Sequence, residues 1–269
     1  MSLDFLGIAR ERVYSPGKVD DDRAILDAVA ARLAASHRVA VISADHPLPA
    51  ISPAPTVFAM CQGPAALETL QRWEASGVRV INSSGAIANT HRRRMLAAFE
   101  RHGIAHPPSR LLHTDAPGLL PDWVDAGAWI KRGDVHATEP DDVVRVDGDA
   151  AARAALAAMQ RRGITAALVQ RHVDGEVFKF YAVRARFFFC FAPIGSDAGL
   201  APADETTIRG LAEAAAAALH LEVFGGDCVR DRQCNLWLID LNDWPSYARC
   251  RFGAAEAIAS YLTAQTRAT

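Results

Sequence analysis

Two hydrophobic periods alternate through the first eighty residues. Short apolar runs, DFLGIA (4–9), RVAVIS (38–43), TVFAMC (56–61) and VRVIN (78–82), read as strands. Between them, DDRAILDAVAARLAAS (21–36) and GPAALETLQRWEASG (63–77) carry apolar residues at helical spacing, and a Pro-rich connector, HPLPAISPAP, spans 46–55. The first helix opens on acidic residues, and Gly77 is placed to end the second. Strands separated by helices predict a small parallel α/β sheet. Ligands of such sheets sit beyond the carboxyl ends of the strands. That points to the loop RERVYSPGKVDD (10–21), with Arg10, Arg12, Tyr14, Ser15 and Lys18. An ordinary solvent-exposed loop is the equal alternative.

Further along, Ser83 or Ser84 can cap a helix running to about His102, with Gly103 as its stop and Pro107 and Pro108 beyond. The strand-like segments AWIKR (128–132), VVRV (143–146) and AALVQRHV (166–173) surround a helix, AARAALAAMQRRG (151–163). EVFKFYAV (176–183) and RARFFFCFA (184–192) are two more strands, and DETTIRGLAEAAAAALHL (204–221) is an alanine-rich helix. LEVFGGDCV (221–229) and LWLIDLN (236–242), joined by the polar turn DRQCN, form a β-hairpin. FGAAEAIASYLTAQ (252–265) closes the pattern as a helix.

Composition narrows the function classes. With 269 residues, 50% hydrophobic and 22% charged, the chain is an ordinary globular protein with room for one to three subdomains. A net charge of −2 gives no global electrostatic case for nucleic acid or an anionic membrane. No apolar run is long enough to span a bilayer, and the start of the chain does not read as a signal peptide. The five cysteines are scattered without a CxxC, which fits thiols in a reducing cytoplasm better than disulfides or structural zinc. The first strand leads into ARERVYSPG and not into a GxGxxG turn, so a Rossmann dehydrogenase is disfavoured.

The hairpin carries the sharpest chemistry. Asp227, Asp240 and Asn242 interrupt otherwise apolar strands, and Asp240 and Asn242, two apart, share a face. Pairing across the hairpin could bring Asp227 to the same face. Two carboxylates and an amide oxygen there suit a hard cation such as Mg²⁺, usually completed by substrate phosphates. The bland alternative is that these residues cap backbone groups at the hairpin end. Lys131, inside an apolar strand, needs an anionic partner, either a phosphate or a carboxylate.

This hairpin resembles the metal-binding hairpin of the ATP-grasp superfamily, in which a Gly-x-Asp strand precedes one ending in acid-x-Asn and a proline. The matching residues are Gly225, Asp227, Asp240, Asn242 and Pro245. The resemblance runs from Asn82 to Tyr247, and the N-terminal part is similar to the domain that usually precedes it. It implies an α/β chain with α+β lobes, the ATP-grasp fold with an N-terminal parallel α/β pre-ATP-grasp domain. The implied division is a substrate domain over 1–84, a central lobe with its linking helix over 85–172, and a C-terminal lobe carrying the metal site over 173–269. The implied cofactors are ATP and one or two Mg²⁺ ions, with Mn²⁺ as a substitute, held by Asp227, Asp240 and Asn242.

Aligning on Gly103-Ile104 places Arg92 where the family carries a phosphate-binding lysine; arginine also binds phosphate, often bidentately. The HRRR segment equally reads as a solvated helix face. Lys131 matches the phosphate-binding strand lysine. Where many members have a glycine-rich lid, this chain has GDVHATEPDD (133–142), with His136 as a side-chain substitute for the phosphate contact or as plain loop surface. Gln170, Arg171, His172 and Val173 match the adenine-binding hinge, with Asp174 or Glu176 next for the ribose. Lys179 resembles a second basic residue that binds ATP or substrate. Lys131 and, by a less specific match, Arg186 are the catalytic candidates.

The implied chemistry is phosphoryl transfer from MgATP. The preferred expectation is a cytoplasmic carboxylate–amine ligase acting through an acylphosphate on small molecules, with no nucleic acid or membrane partner. A small-molecule kinase acting on an alcohol is the alternative, because Asp240 and the run Asp-x-Asn-x-x-Pro-Ser-Tyr look like the inositol phosphate kinases of the superfamily. Such a substrate needs a dense basic pocket, for which Arg12, Lys18, Arg249 and Arg251 are the candidates. A non-catalytic nucleotide-binding protein is the third reading.

Overall fold

A computed structural model describes residues 3–51, 55–191 and 202–266. Part of the Pro-rich connector, 52–54, and Ala192, the last position of an expected strand, lie outside them. The N-terminal segments form β1 (Phe5–Ala9), α1 (Val19–Ala34), β2 (Val39–Ser43), β3 (Thr56–Ala59), α2 (Pro64–Ala75) and β4 (Val80–Ile81). Their strands make a parallel sheet of order β2-β1-β3-β4. The chain leaves β1 towards one edge and β3 towards the other. The crevice beyond these two strand ends is therefore the switch point at which open α/β sheets bind ligands.

The single helix expected from Ser83 to His102 is instead two, α3 (Ser84–Asn89) and α4 (Arg92–His102). Ser83 does cap the first, accepting from the Ala86 N–H at 3.1 Å. The break at Thr90-His91 has a local cause: Thr90 Oγ1 turns back to the Ile87 carbonyl at 2.7 Å, and the Arg93 N–H bonds the Gly133 carbonyl at 3.2 Å. Gly103 ends α4 in the left-handed conformation (φ 64°), where glycine has no Cβ penalty.

A second sheet contains β5 (Ser109–His113), β6 (Ala128–Arg132), β7 (Val143–Val146) and β8 (Ala166–Arg171), antiparallel in order β5-β8-β6-β7, with α5 (Asp149–Arg161) packed on it. β5 has no clear period of its own; SRLLH is held in place by pairing with β8. A third antiparallel sheet, β10-β9-β11-β12, is built from β9 (Gly175–Val183), β10 (Phe187–Phe191), β11 (Val223–Asp231) and β12 (Leu236–Asp243). The helix α6 (Pro202–Leu219) and α4 share one core with the Phe178–Phe180 side of this sheet. The helix α7 (Arg251–Thr266) shares another with Tyr181 and Val183, and with α1 and β3 of the first sheet. Among the described residues no helix is long and apolar enough to cross a membrane.

Asn82 joins the first and third sheets like a missing strand residue. Its Nδ2 donates to the Val223 carbonyl at 2.7 Å, and its Oδ1 accepts from the Glu222 and Val223 N–H groups at 2.8 and 3.0 Å.

Candidate active site

Strand register lays out the site. Directly paired residues on antiparallel strands point to the same face. Lys179, Asp227 and Asp240 are partners across β9, β11 and β12. Two residues along, Tyr181, Gly225 and Asn242 form the next row; two residues the other way stand Val177 and Val229. One sheet face therefore runs from apolar, through charged, to neutral and hydrogen-bonding, at roughly 7 Å per row. The convergence expected of Asp227, Asp240 and Asn242 is present.

A β-bulge between Asp227 and Cys228 leaves Ile239 unpaired on β12. Its freed carbonyl accepts from Lys131 Nζ at 2.9 Å, and Gln170 Oε1 accepts from the same ammonium at 2.8 Å. Burial lowers the Lys131 pKa to about 8, against the pull of Asp240. Asp227 pairs with Lys179 at 2.7 Å, yet burial outweighs that pairing and raises its pKa. Asp240 is half-buried, but Arg92, 3.5 Å away, and Lys131 overcome the desolvation and hold its carboxyl below the usual range.

The oxygen set fits a hard cation. Among the described residues no three His, Cys, Asp or Glu side chains form a metal site alone. Two facing carboxylates and the Asn242 amide leave coordination positions for phosphate oxygens or water, as Mg²⁺ prefers. Glycines let the strands and the following turn pack closely here. A Cβ at Gly225 would stand 2.8 Å from the Phe180 carbonyl and from Pro245, and one at Gly226 would collide with the Asp240 carbonyl oxygen.

Two cavities share Asp240 and Val143. One, of about 210 Å³, lies between the second and third sheets, with Trp129, Val177, Val229 and Ile239 as apolar walls and Lys131 at its polar end. Gln170, Arg171, His172 and Val173, the residues matched to the hinge, line it. The N–H groups of Arg171 and His172 are taken by the Pro108 and Gly127 carbonyls, at 2.8 and 3.0 Å. Asp174 is held by His172 and Glu176 by Arg230, so neither ribose candidate lines this cavity.

The other cavity, about 330 Å³, opens at the switch point of the first sheet, against the Tyr181–Gly225–Asn242 row. Arg92, His136 and Lys179 line this cavity and not the apolar one. Thr90 gives its only proton to Ile87, so His136 Nε2 carries hydrogen and donates to Thr90 Oγ1 at 2.7 Å. Burial drives the His136 pKa down to about 3, and it stands neutral. The loop that carries it is pinned by Asp142, which accepts from the Thr138 and Glu139 N–H groups and pairs with Arg162 at 2.6 Å.

Arg10 is spent inside the wall of this cavity. It donates to the Met60 carbonyl (3.0 Å), Asp22 (3.1 Å) and the Trp244 carbonyl (2.8 Å), tying the ends of β1, β3 and β12 together. Sequence reading did not single out Gln62 and Asp243, which belong to the same wall: Gln62 Nε2 donates to Asp243 Oδ1 at 2.8 Å. Burial raises the Asp243 pKa to about 6.

Several expected basic residues lie elsewhere. Arg186 occupies the turn after β9, beyond the Tyr181 and Val183 rows, and lines a separate groove with residues of α1 and α7. That puts it towards the turn end of the hairpin, away from the Lys179–Asp227–Asp240 row. Arg12 is exposed beside Asp45, Arg249 lies over the Phe191 ring, and Arg251 pairs with Asp21. Of the four residues proposed for a dense basic pocket, Lys18 alone lines the cavity.

No protein-family model matches this chain, and no curated protein matches it in sequence. Solved structures do match over nearly its whole length. D-alanyl-alanine synthetase A from Vibrio cholerae O1 biovar eltor superposes with a TM-score of 0.72 at 12% identity, covering 98% of each chain. A RimK domain ATP-grasp protein from Sphaerobacter thermophilus gives 0.66 at 18% identity, covering 96% of this chain and 99% of its own. The ATP-grasp ligase PsnB, complexed with a minimal precursor, Mg and ADP, gives 0.66 at 14% identity, covering 98% of each chain. The chain has the ATP-grasp fold. At these identities the likeness speaks to the fold and not to a substrate.

Proposed function

We propose that the protein is a MgATP-dependent carboxylate–amine ligase of the ATP-grasp type, acting on small molecules in the cytoplasm. The carrying observation is the graded sheet face: apolar Val177–Val229, charged Lys179–Asp227–Asp240, neutral Tyr181–Gly225–Asn242, with a cavity at each end. Adenine fits the apolar end, the phosphates lie over the charged row, and the acceptor enters from the switch point. Residues 1–84 would then serve the acceptor, 85–172 and 173–269 the nucleotide. ATP-grasp ligases among the structural neighbours, one of them with Mg and ADP, support this assignment.

Lys131 and Lys179 neutralise charge on the phosphates, while Arg92, buried on the side of the second cavity, faces the group in transfer. Asp227, Asp240 and Asn242 would hold Mg²⁺, which would supply positive charge against that of the phosphates. A carboxylate oxygen of the acceptor attacks the γ-phosphorus and ADP departs. The amine then attacks the acyl carbon, loses a proton, and inorganic phosphate leaves. The scattered positions of Arg12, Arg249 and Arg251 favour this acceptor over a polyphosphorylated alcohol.

The test is isotope transfer. With a pool of ¹⁸O-labelled small carboxylates, MgATP and amino acids, the ligase reading expects ¹⁸O in the released phosphate and, with hydroxylamine replacing the amine, a hydroxamate. A new phosphomonoester without free phosphate would replace the ligase reading with the kinase one.

A further inference from the structure

Resting on the nucleotide reading of the site, we propose that Asp142 and Arg162 are positioning residues. From outside both cavities they hold the loop 133–142 in its binding conformation before MgATP arrives, so the nucleotide meets a standing wall and not one it must order. His136 and Ala137 of this loop wall the larger cavity together with Arg92, Lys179 and Asp240. Asp142 and Arg162 line neither cavity.

The loop is tied along its whole length. At its start the Gly133 N–H bonds the Ala166 carbonyl at 2.9 Å, and the Gly133 carbonyl accepts from the Arg93 N–H at 3.2 Å. Arg132 donates to both oxygens of Asp134, at 2.7 and 3.3 Å, and to Thr138 Oγ1 at 3.2 Å. Asp134 also takes the Val135 N–H at 2.9 Å. In the middle stands the His136–Thr90 bond. At its end Asp142 is fully buried. Its Oδ2 accepts from the Thr138 and Glu139 N–H groups at 2.7 and 3.2 Å and from the Thr138 hydroxyl at 3.1 Å. Its Oδ1 accepts from Arg162 at 2.6 Å, and Arg162 pairs with Glu139 at 3.1 Å. Against the cost of burial, these bonds hold the Asp142 carboxyl below the usual range, so it is ionised at neutral pH. Arg162 directly follows α5, which packs on the second sheet, and so fastens the loop to a helix outside the site.

The loop's own residues agree with a fixed conformation. Its one glycine, Gly133, serves packing, since a Cβ there would stand 3.1 Å from the Ala166 carbonyl. Pro140 fixes the backbone two residues before Asp142. Ordering a loop of this length at the moment of binding costs conformational entropy. Apparent affinity falls in proportion to the fraction of molecules that are ready to bind. Loosening the Asp142–Arg162 pair should therefore weaken nucleotide through the loop, although neither residue lines a cavity.

The test is hydrogen exchange on the whole protein, read by mass spectrometry over 134–142, with Mg·AMPPNP affinity read by calorimetry. In the wild type without nucleotide, exchange there should already be slow, and Mg·AMPPNP should change it by less than about twofold. Arg162→Ala should speed it at least about tenfold and weaken Mg·AMPPNP about threefold, the loss expected when a third of the molecules hold the loop ready. Exchange elsewhere and the unfolding midpoint should stay as in the wild type, and saturating Mg·AMPPNP should restore slow exchange. Asp142→Asn should give the same pair of changes, and Arg162→Lys, which keeps the ion pair, should recover most of both. A wild-type loop that exchanges like free chain until Mg·AMPPNP is added overturns the proposal while leaving the nucleotide reading standing. So does an Arg162→Ala protein with wild-type exchange, or with fast exchange and undiminished affinity. Wild-type protein that does not take up Mg·AMPPNP overturns both.

Discussion

The two cavities that meet at Asp240 are assembled in opposite ways. The apolar one is walled by strands, and its key ammonium, Lys131, is held by an amide oxygen and a carbonyl, with no carboxylate bonded to it. The other is walled largely by loops from distant parts of the chain, and much of its charge is consumed internally, Arg10 by Asp22 and by carbonyls just beyond β3 and β12. Strand register can fix a nucleotide site with few residues. A loop-built cavity needs interior ties to keep its shape.

That contrast can be broken at its shared member first. Asp240→Ala should reduce ATP turnover by at least about a thousandfold with an unchanged circular dichroism spectrum; wild-type turnover would remove Asp240 from the site. Lys131→Ala should cost about a hundredfold. Its lowered pKa also sets a pH dependence. Charged Lys131 is the binding form, present below about pH 8 and lost above it, so affinity for MgATP should fall as pH rises past 8. Lys131→Arg should flatten that decline, and a decline that persists in the arginine variant would assign it elsewhere.

Arg10→Met tests the other cavity, because it should act on stability before chemistry. Removing a guanidinium bonded to Asp22 and to the Met60, Asp243 and Trp244 carbonyls should destabilise the protein by about 2–4 kcal/mol in denaturant unfolding, leaving Mg·AMPPNP affinity nearly unchanged at temperatures where the fold persists. An unchanged unfolding midpoint would show that this wall does not depend on Arg10. Smallest of all, Arg186→Ala should alter turnover by less than about twofold, as expected of a turn residue at the far end of β9.

The sequence made the charged row readable because its signal is local. Asp227, Asp240 and Asn242 stand out as polar residues at period two in apolar strands, and their hairpin register follows from one short turn. Lys131 stands out for the same reason. The second cavity gives no such signal: Gln62 meets Asp243 only when the first sheet docks on the third. Arg92 stands out by alignment on Gly103-Ile104 and His136 by its place in the loop where many members carry a glycine-rich lid; both line the second cavity. Arg186 misled because a basic residue among aromatics reads alike in a site and in a hairpin turn. β5 escaped notice since SRLLH becomes a strand through its neighbour.

The central claim is that MgATP lies along the graded face with its metal on Asp227, Asp240 and Asn242. Calorimetric titration of Mg·AMPPNP into the wild type, the wild type with EDTA, and Asp227→Ala and Asp240→Ala tests it without knowledge of the acceptor. The account predicts saturable binding that requires the metal and that weakens by at least about tenfold in each variant. Binding that is absent, or that is indifferent to EDTA and to both substitutions, would contradict it.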